Sequence, residues 1–378
     1  MTGDGPVYAG TLGILQCVLP SYRAELYREI ASRCAGGLTV LHGDAVDPYS
    51  AQIDALDGVR LARTRTRSFL PAPANLHWQD GVVDWLERED PDALLCEANV
   101  RYLSTHRAID WMHDRGRPVL GWGFGTLMLS DALPGVRNAA RLRYWSRFDA
   151  MVSYGSRGVD EWAALGLDRS RLHVAHNAAA RRPPDSPPAL DGRVGVPRVL
   201  YVGRINRGKK VDLLIRAALL AAERAELRLE LVGACAPELL AELRALAEPL
   251  GDRVTFHGGL YDEALDALYA RSSLFVMPGL GGLGMQTAMA HALPIVVAES
   301  DGTHLDLVDD SNGWVVEPDD PDDFAGAILA AVTDPEGAAR RGLASWRKVR
   351  DTFNVERSAD GILAAVAGTS ARVRGRAA

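Results

Sequence analysis

Short apolar runs alternate with amphipathic segments along the chain. Six runs in the first half have the length and composition of buried strands, at residues 8–19, 38–43, 91–98, 118–123, 147–155 and 172–177. Segments with apolar residues at helical spacing lie between them, such as 23–34 and 158–166. Strands and helices in alternation predict a parallel sheet that is covered by helices on both faces.

The alternation is interrupted once, at residues 181–197, where five prolines and two glycines leave little to bury. We predict an interdomain linker here. Six further apolar runs follow, at 198–203, 227–233, 253–258, 273–279, 294–300 and 313–318. The predicted organisation is an N-terminal domain (1–185), a C-terminal domain (186–345), and a helical segment (346–378) that packs back towards the first. Ligands of doubly wound sheets bind beyond the carboxyl ends of the strands, so the expected site is the cleft between two facing domains.

Composition narrows the class of protein. The 378 residues are 47% hydrophobic and 24% charged, which is typical of a soluble globular enzyme, and the net charge of −7 argues against nucleic-acid binding. The four cysteines, Cys17, Cys34, Cys96 and Cys235, form no Cys-x-x-Cys pair and are predicted to be free thiols in a reducing cytosol. No apolar run reaches the ~18–20 residues that span a bilayer, and no signal peptide is recognised. We therefore expect a cytoplasmic protein.

The first motif is "YVGRINRGKKVDLLIRA" at residues 201–217. A strand is predicted to end at Gly203; Arg204 follows at once, and Lys209 precedes a helix. Two cations at the carboxyl end of a strand suit a diphosphate. The alternative is a strand–helix junction that carries solvated charges.

The second motif is "PGLGGLGMQTAMAHALP" at residues 278–294, with four glycines in six residues before a helix predicted to begin near Met285. Exposed amides at a helix N-terminus form an anion site, and glycines let a phosphate approach the backbone. The alternative is a tight strand–helix turn. Both motifs would lie at neighbouring strand ends of one sheet.

The C-terminal half resembles the family 4 nucleotide-sugar glycosyltransferases of the GT-B fold. The likeness over roughly 198–330 is carried by the two motifs above together with "RVTFHGGLYDEALDALYARSSLFVMPG" and "NGWVVEPDDPDDFAGAI". The N-terminal half fits through "PSYRAELYREI", "NVRYLS" and "GWGFG". The resemblance implies two Rossmann-like domains that face a central cleft, and a nucleoside-diphosphate sugar as substrate, with no cofactor. It assigns the acceptor side to the domain 1–185 and nucleotide-sugar binding to the domain 186–345.

The resemblance also implies functional residues. Arg204 and Lys209 would hold the diphosphate, and the turn around His257 would lie by the base. The donor-binding positions that it implies are Gly203, Gly258, Leu260, Gly279, Gly282, Leu283, Gly284, Met285 and Thr287.

This chain departs from the family where two glutamates are usual, because Gly279 and Thr287 occupy those positions. A smaller group in the family reads Pro-Gly-x-x-Gly-Leu here, usually without the first glutamate. Thr287 can still donate to a ribose hydroxyl, but it replaces a charged acceptor with a neutral one. Charged hydrogen bonds contribute about 1.5–3 kcal/mol against ~1 kcal/mol for neutral ones, so weaker donor affinity is expected unless other groups compensate.

The acceptor side shows a second departure. Phe124 stands where the motif often has a histidine, so a general base must come from elsewhere, and Glu97, His106, His113 and His176 are the candidates. Glu97 is the first choice, because it follows an apolar run at a strand end, where burying a carboxylate is unfavourable unless it has a role. The predicted acceptor-side residues are Tyr22, Arg23, Asn99 and Phe124. For Tyr22, packing against the sheet behind a helix cap is an equally good interpretation.

Two arginine-rich segments, 59–69 and 136–148, are interpreted as solvated surface. The alternative is attraction of anionic lipid, which would place the protein at the inner membrane face, or of an anionic acceptor.

The sequence thus predicts a glycosyltransferase that moves a sugar from a nucleoside diphosphate to a glycan, lipid-linked or natural-product acceptor. Retention of configuration is implied by the resemblance. Metal independence is expected because the cations are built in. One alternative is a degenerate nucleotide-sugar-binding partner subunit. A second is a GT-B-type epimerase, which would need more carboxylates in the cleft.

Overall fold

The chain divides into two structural units at residues 179/180 and 354/355. In this computed structural model the described residues are 5–44, 53–69, 75–126, 134–281, 283–298 and 302–377. The first unit comprises Met1–Ala179 with Val355–Ala378, and the second unit comprises Ala180–Asn354.

The first unit is built on a seven-stranded parallel sheet with the order β3-β2-β1-β6-β7-β8-β9. Its strands are β1 (Leu12–Val18), β2 (Leu38–Gly43), β3 (Val59–Arg63), β6 (Ala93–Glu97), β7 (Val119–Gly123), β8 (Ala150–Ser153) and β9 (Leu172–Val174), and a separate antiparallel pair is formed by β4 (Thr66–Phe69) and β5 (Leu76–Gln79). The helices are α1 (Ala24–Ala31), α2 (Val82–Glu89), α3 (Ser104–His113), α4 (Pro134–Trp145) and α5 (Ser156–Ala164).

The second unit contains a six-stranded parallel sheet with the order β12-β11-β10-β13-β14-β15. Its strands are β10 (Arg198–Val202), β11 (Arg228–Val232), β12 (Val254–Gly258), β13 (Leu274–Met277), β14 (Ile295–Ala298) and β15 (Gly313–Val316). Its helices are α6 (Val211–Ala222), α7 (Pro237–Ala247), α8 (Asp262–Arg271), α9 (Leu283–Ala290), α10 (His304–Leu307), α11 (Pro321–Thr333) and α12 (Pro335–Asp351).

The twelve apolar runs of the sequence all contain strands, as predicted. Nine of these strands lie inside a parallel sheet, where strands are buried on both faces and read as continuous apolar runs. Strands β3, β4 and β5 were not predicted. Strand β3 lies at a sheet edge with both of its arginines exposed, and β4 is largely exposed, so neither forms a continuous apolar run. The four cysteines are free thiols, as predicted.

The second unit differs from the predicted domain limits at both ends. Helix α12 runs unbroken through residue 345, so the unit extends to Asn354. At its beginning, Arg193 of the Pro-rich segment donates to the carbonyl oxygens of Ala292 (2.7 Å) and Ala270 (3.3 Å). Arg193 therefore attaches the end of the predicted linker to the second unit, which begins at Ala180.

The last helix, α13 (Val355–Ala377), belongs to the first unit and contacts α1, β6, β8 and β9. Arg33, which follows α1, pairs with Asp360 of this helix and with Glu29. Gly361 is packed so closely that an added Cβ would lie 2.9 Å from both the Val174 carbonyl oxygen and the Ala175 Cβ. Gly361 therefore fixes how near α13 lies to the sheet.

We predict that Gly361→Ala lowers the free energy of unfolding by about 1–3 kcal/mol, because the new methyl group must displace the backbone at β9. The matched control is Gly368→Ala in the same helix, where a Cβ would meet nothing within 4 Å. In this control the free energy of unfolding should rise by about 0.5–1 kcal/mol, because alanine favours the helix more than glycine does. Urea unfolding measures both, and equal effects of the two substitutions would contradict the packing role of Gly361.

Candidate functional sites

Both parallel sheets reverse their direction of winding at one point. In the first unit the reversal lies between β1 and β6, and in the second between β10 and β13. Loops that leave two such strands diverge to opposite faces of the sheet and open a crevice at the carboxyl ends, where ligands of doubly wound sheets bind. The sequence-predicted residues can be compared with these two points.

In the second unit, the two sequence motifs come together at this reversal. The loop after β10 carries Arg204, which is exposed, and Lys209, which is half-buried. The loop after β13 touches it through Leu280, whose N–H donates to the Gly208 carbonyl oxygen (3.2 Å) and whose carbonyl oxygen accepts from Lys209 Nζ. The structure therefore joins the cationic loop to the glycine turn that precedes α9.

The two adjacent lysines of this loop have different partners. Lys210 adopts a left-handed conformation (φ 51°, ψ 40°) at the start of α6, which is uncommon for a residue with a side chain. Its ammonium group pairs with Asp319 at 2.6 Å, whereas that of Lys209 donates to the Leu280 carbonyl oxygen of the glycine turn.

The glycines of this turn allow the chain to approach itself. A Cβ at Gly279 would lie 2.5 Å from the Gly208 carbonyl oxygen and 2.7 Å from the Lys209 carbonyl carbon. At Gly284 it would lie 2.8 Å from the Val202 carbonyl oxygen. The glutamate common at position 279 in the resembled family therefore cannot be accommodated on this backbone. Gly282 lies outside the described residues.

Two predicted donor residues differ in burial. Helix α9 begins at Leu283, two residues before the predicted start, and the Met285 side chain is fully buried in the core. Thr287 is half-buried, and its side chain lies beside the buried phenol of Tyr269, whose hydroxyl donates to the Gly284 carbonyl oxygen (3.5 Å). A hydroxyl can donate and accept at the same time, so the predicted donation of Thr287 to a ribose stays a prediction.

The turn at the end of β12 is anchored by a buried carboxylate that sequence analysis did not identify. Glu230 of β11 is 3% exposed and accepts hydrogen bonds from His257 Nε2 (2.7 Å) and Arg198 Nη1. Burial alone would raise the pKa of Glu230, but the hydrogen bonds from His257 and Arg198 outweigh it and lower the pKa below its usual value. The two predicted residues that follow, Gly258 (φ 69°) and Leu260, continue from this anchored strand end.

In the first unit, three predicted residues share one cavity of about 310 Å³ at the ends of β6 and β7. Glu97, Asn99 and Phe124 line it together with aromatic side chains. The remaining lining residues are Ala98, Val100, Arg101, Trp122, Gly123, Gly125, Trp145 and Tyr154. Of the other candidate bases, His106 contacts Arg147 and His113 contacts Asp149 (3.1 Å); neither these nor His176 is among the described lining residues.

Glu97 is held by neutral donors. Its Oε2 accepts from the Cys17 amide (3.1 Å) and from Gln16 Nε2 (3.4 Å), and Gln16 in turn accepts from the Tyr27 hydroxyl. Among the described residues, no cation lies within ion-pair distance of this carboxylate. Burial and the nearby Glu97 charge raise the pKa of the Cys17 thiol, so Cys17 remains protonated. Glu97 is thus a fixed carboxylate at the reversal point of the sheet.

Two predicted residues in the turn between β1 and α1 differ in exposure. Tyr22 is 45% exposed, whereas Arg23 is 3% exposed. Arg23 Nη2 donates to the Tyr154 hydroxyl (3.0 Å), and its guanidinium lies 4.2 Å from the centroid of the Trp122 ring. Arg23 was predicted as an acceptor-side residue; the structure places it inside the unit, behind two residues that line the cavity.

Four arginines of the two arginine-rich segments form ion pairs with carboxylates in the described structure. Arg60 pairs with Glu89, Arg63 with Asp44, Arg67 with Asp80 and Arg147 with Asp110. The aromatic residues of the second segment, Tyr144 and Trp145, are buried. These pairs give no support to membrane contact through the segments. Among the described helices, none is long and apolar enough to cross a membrane.

Comparison with known proteins locates a family likeness in the second unit. Residues 196–334 match the model of the family described as glycosyl transferases group 1. The chain is 30% identical over 236 residues to a D-inositol 3-phosphate glycosyltransferase of Streptomyces avermitilis, covering 57% of this chain and 51% of that protein. It is 33% identical over 315 residues to the Geodermatophilus obscurus protein of the same name, covering 76% and 64%. The chain therefore spans about half to under two thirds of the length of these relatives.

Solved structures show the fold along nearly the whole chain. Sucrose-phosphate synthase from Thermosynechococcus elongatus has a TM-score of 0.71 at 18% identity and covers 97% of this chain and 100% of its own. Anabaena Alr3699/HepE in complex with UDP has a TM-score of 0.69 at 16% identity and covers 95% and 100%. The predicted α/β fold of the GT-B class is confirmed. The predicted likeness to nucleotide-sugar glycosyltransferases is supported at the level of group 1, and the narrower Pro-Gly-x-x-Gly-Leu subgroup stays a prediction.

We predict that Glu230→Gln destabilises the protein by about 1–3 kcal/mol at neutral pH, because two partners of a buried carboxylate lose a charged acceptor. Because the pKa of Glu230 is lowered in the folded state, the ionised carboxylate stabilises the fold at pH values above its unfolded pKa of about 4.3–4.5. This stabilisation is lost as the pH falls through the lower pKa of the folded state. The difference between wild type and variant should therefore shrink on acidification. Urea unfolding at several pH values measures it.

The control for this experiment is Glu223→Gln, at an exposed carboxylate in the same unit. It should change the unfolding free energy by less than about 0.5 kcal/mol. A Glu230→Gln effect that is independent of pH would contradict the assignment of the stabilisation to the ionised carboxylate.

Proposed function

We propose that this chain, which matches the group 1 glycosyl transferases over residues 196–334, is a glycosyltransferase that uses a nucleoside-diphosphate sugar. The observation that carries the proposal is the junction of the Arg204–Lys209 loop with the glycine turn before α9. It lies at the carboxyl ends of two adjacent strands, at the reversal point of the sheet. Cations and backbone amides, the groups that bind a diphosphate, are therefore found at one place.

The donor diphosphate would be held by charge and by oriented amides. Arg204 and Lys209 supply two positive charges, and the first turn of α9, which contains no acidic residue, supplies the positive end of a helix dipole. Such groups stabilise the negative charge that develops on the departing diphosphate. Because these cations are built in, metal-independent transfer is part of the proposal. The Anabaena neighbour bound to UDP makes UDP the first nucleotide to test.

The acceptor would occupy the cavity of the first unit. Glu97 presents a carboxylate without a cationic partner among the described residues, so it can accept a hydrogen bond from an acceptor hydroxyl and orient it. Phe124 offers an apolar wall and cannot take a proton. We propose retention of configuration from the family likeness. In retaining transfer the departing phosphate can receive the acceptor proton, so Glu97 need not act as a strong base. A glycan, lipid-linked or natural-product acceptor remains the proposed class.

One observation favours the alternative, a nucleotide-sugar-binding subunit without transfer. Position 279 has no room for a side chain and Thr287 offers a neutral hydroxyl, so neither position supplies the carboxylate of the resembled family. Donor hydrolysis distinguishes the two, since an active transferase loses some sugar to water whereas a binding subunit returns the donor intact.

We predict that Arg204→Ala and Lys209→Ala each weaken UDP binding by about ten- to a hundredfold, since each removes a charge-assisted contact of about 1.5–3 kcal/mol. Titration calorimetry with UDP measures the affinity, and thermal melts without ligand should change little. The control is Arg216→Ala, at an exposed arginine of α6 outside the loop, which should bind UDP like the wild type. Unchanged UDP affinity in both test variants would remove the diphosphate assignment.

We predict that Glu97→Gln leaves UDP affinity unchanged but lowers turnover by about 10²–10⁴-fold if Glu97 moves a proton, and by less if it only orients the acceptor. The substrate for the assay is chosen by screening UDP-, GDP- and dTDP-sugars for hydrolysis by the wild type. Asn99→Ala, which changes the same cavity without removing a charge, is the comparison. Wild-type turnover in Glu97→Gln would exclude a chemical role for this carboxylate.

A further inference from the structure

Arg23 is a buried cation whose hydrogen bonds are incomplete. Only 3% of the residue is exposed, and Nη2 donates to the Tyr154 hydroxyl (3.0 Å). Nε and Nη1 are buried without an acceptor among the described residues, and no described carboxylate forms an ion pair with this guanidinium. A buried charge without a paired acceptor is unfavourable, so its presence calls for an explanation.

Aromatic rings compensate part of this unfavourable burial. The guanidinium carbon lies 4.2 Å from the centroid of the Trp122 ring and 5.1 Å from that of Tyr154, distances at which cation–π attraction operates. Both residues line the cavity that contains Glu97. A ring face attracts a cation, but it does not accept the in-plane N–H groups as an oxygen does.

A third ring near Arg23 belongs to an exposed residue. The Tyr22 ring centroid is 5.7 Å from the guanidinium carbon, and Tyr22 is 45% exposed, whereas Trp122 and Tyr154 are buried. Tyr22 is therefore the one of these three rings that can turn outward without opening the core. A rotation of its side chain would uncover the guanidinium on the side that solvent reaches.

The same turn presents a helix N-terminus. Residues Ser21–Arg23 form a 3-10 turn that continues directly into α1, and neither Pro20 nor Arg23 caps it through a side chain. The acidic residue of the first turn, Glu25, is paired with Arg28. The positive end of the helix and the Arg23 charge thus coincide after β1, at the reversal point of the sheet.

We propose that the turn between β1 and α1 is a binding site for an oxyanion carried by the acceptor, a phosphate or carboxylate group. Arg23 Nε and Nη1 and the first amides of the turn bind the oxyanion, and Tyr22 covers them when the site is empty. Glu97, in the neighbouring cavity, then meets a hydroxyl of the same acceptor. The inference rests on the proposed function for the identity of the ligand, and it narrows the acceptor to an anionic molecule.

The first experiment measures phosphate binding without the donor site. In an Arg204→Ala/Lys209→Ala background, inorganic phosphate is titrated while tryptophan fluorescence is recorded, because Trp122 contacts Arg23. We expect saturable binding that Arg23→Met weakens by about tenfold or more, as loss of a charge-assisted contact does. Arg28→Met, at an exposed arginine of α1, is the matched control and should leave it unchanged. No saturable binding, or equal binding in Arg23→Met, overturns the proposal.

The second experiment identifies the source of the oxyanion. In the same background, glucose 6-phosphate represents an anionic acceptor and UDP represents the donor, with glucose as the neutral control. Glucose 6-phosphate should bind in an Arg23-dependent way and UDP should not. Arg23-dependent binding of UDP alone would assign the turn to the donor and overturn the acceptor proposal. The single variant Arg204→Ala, in which Arg23 is unchanged, tests the proposed function separately, because it should lose UDP binding.

A third variant protects the test if Arg23→Met does not fold. Tyr22→Ala changes an exposed side chain and should tighten phosphate binding, because the cover no longer has to move. Unchanged or weaker phosphate binding in a folded Tyr22→Ala protein would contradict the role of Tyr22 and, with it, the site.

Discussion

The functional geometry of this protein depends on one constraint, the reversal of winding in a parallel sheet. Each unit places its first strand centrally and adds later strands on opposite sides, so two loops diverge at neighbouring carboxyl ends. In the second unit these loops carry Arg204, Lys209 and the glycine turn. In the first unit they carry Arg23 and Glu97. Residues far apart in sequence are therefore brought together by strand order.

Close backbone contact at the second reversal has a chemical consequence. The glycine turn lies directly on the cationic loop, with Gly279 against Gly208 and Lys209, and this contact leaves no volume for an acidic side chain. The chain thus keeps the positive charges and amides that suit a diphosphate, while it lacks the carboxylate that the resembled family uses nearby. Under the proposed function, groups other than a side chain at position 279 would have to recognise the donor sugar.

Much of the architecture could be predicted from the sequence, because central strands of parallel sheets are apolar on both faces and leave continuous runs. The edge strand β3 and the β4–β5 pair escaped, since half-exposed strands rich in arginine have no such signature. At the sites, the juxtaposition of the Arg204 and Gly279 motifs and the place of Glu97 at a strand end followed from the alternation of elements. The burial of Arg23 and the Glu230–His257 pair did not, because each depends on packing between elements that local sequence does not specify.

Hydrogen exchange with and without UDP tests the central claim most directly, namely that a nucleoside diphosphate binds at the reversal point of the second unit. The account predicts that saturating UDP slows exchange of the amides in residues 204–210 and in the first turn of α9, and leaves the edge strand β3 of the first unit unchanged. UDP binding that protects neither of these segments, or protection confined to the first unit, would contradict it.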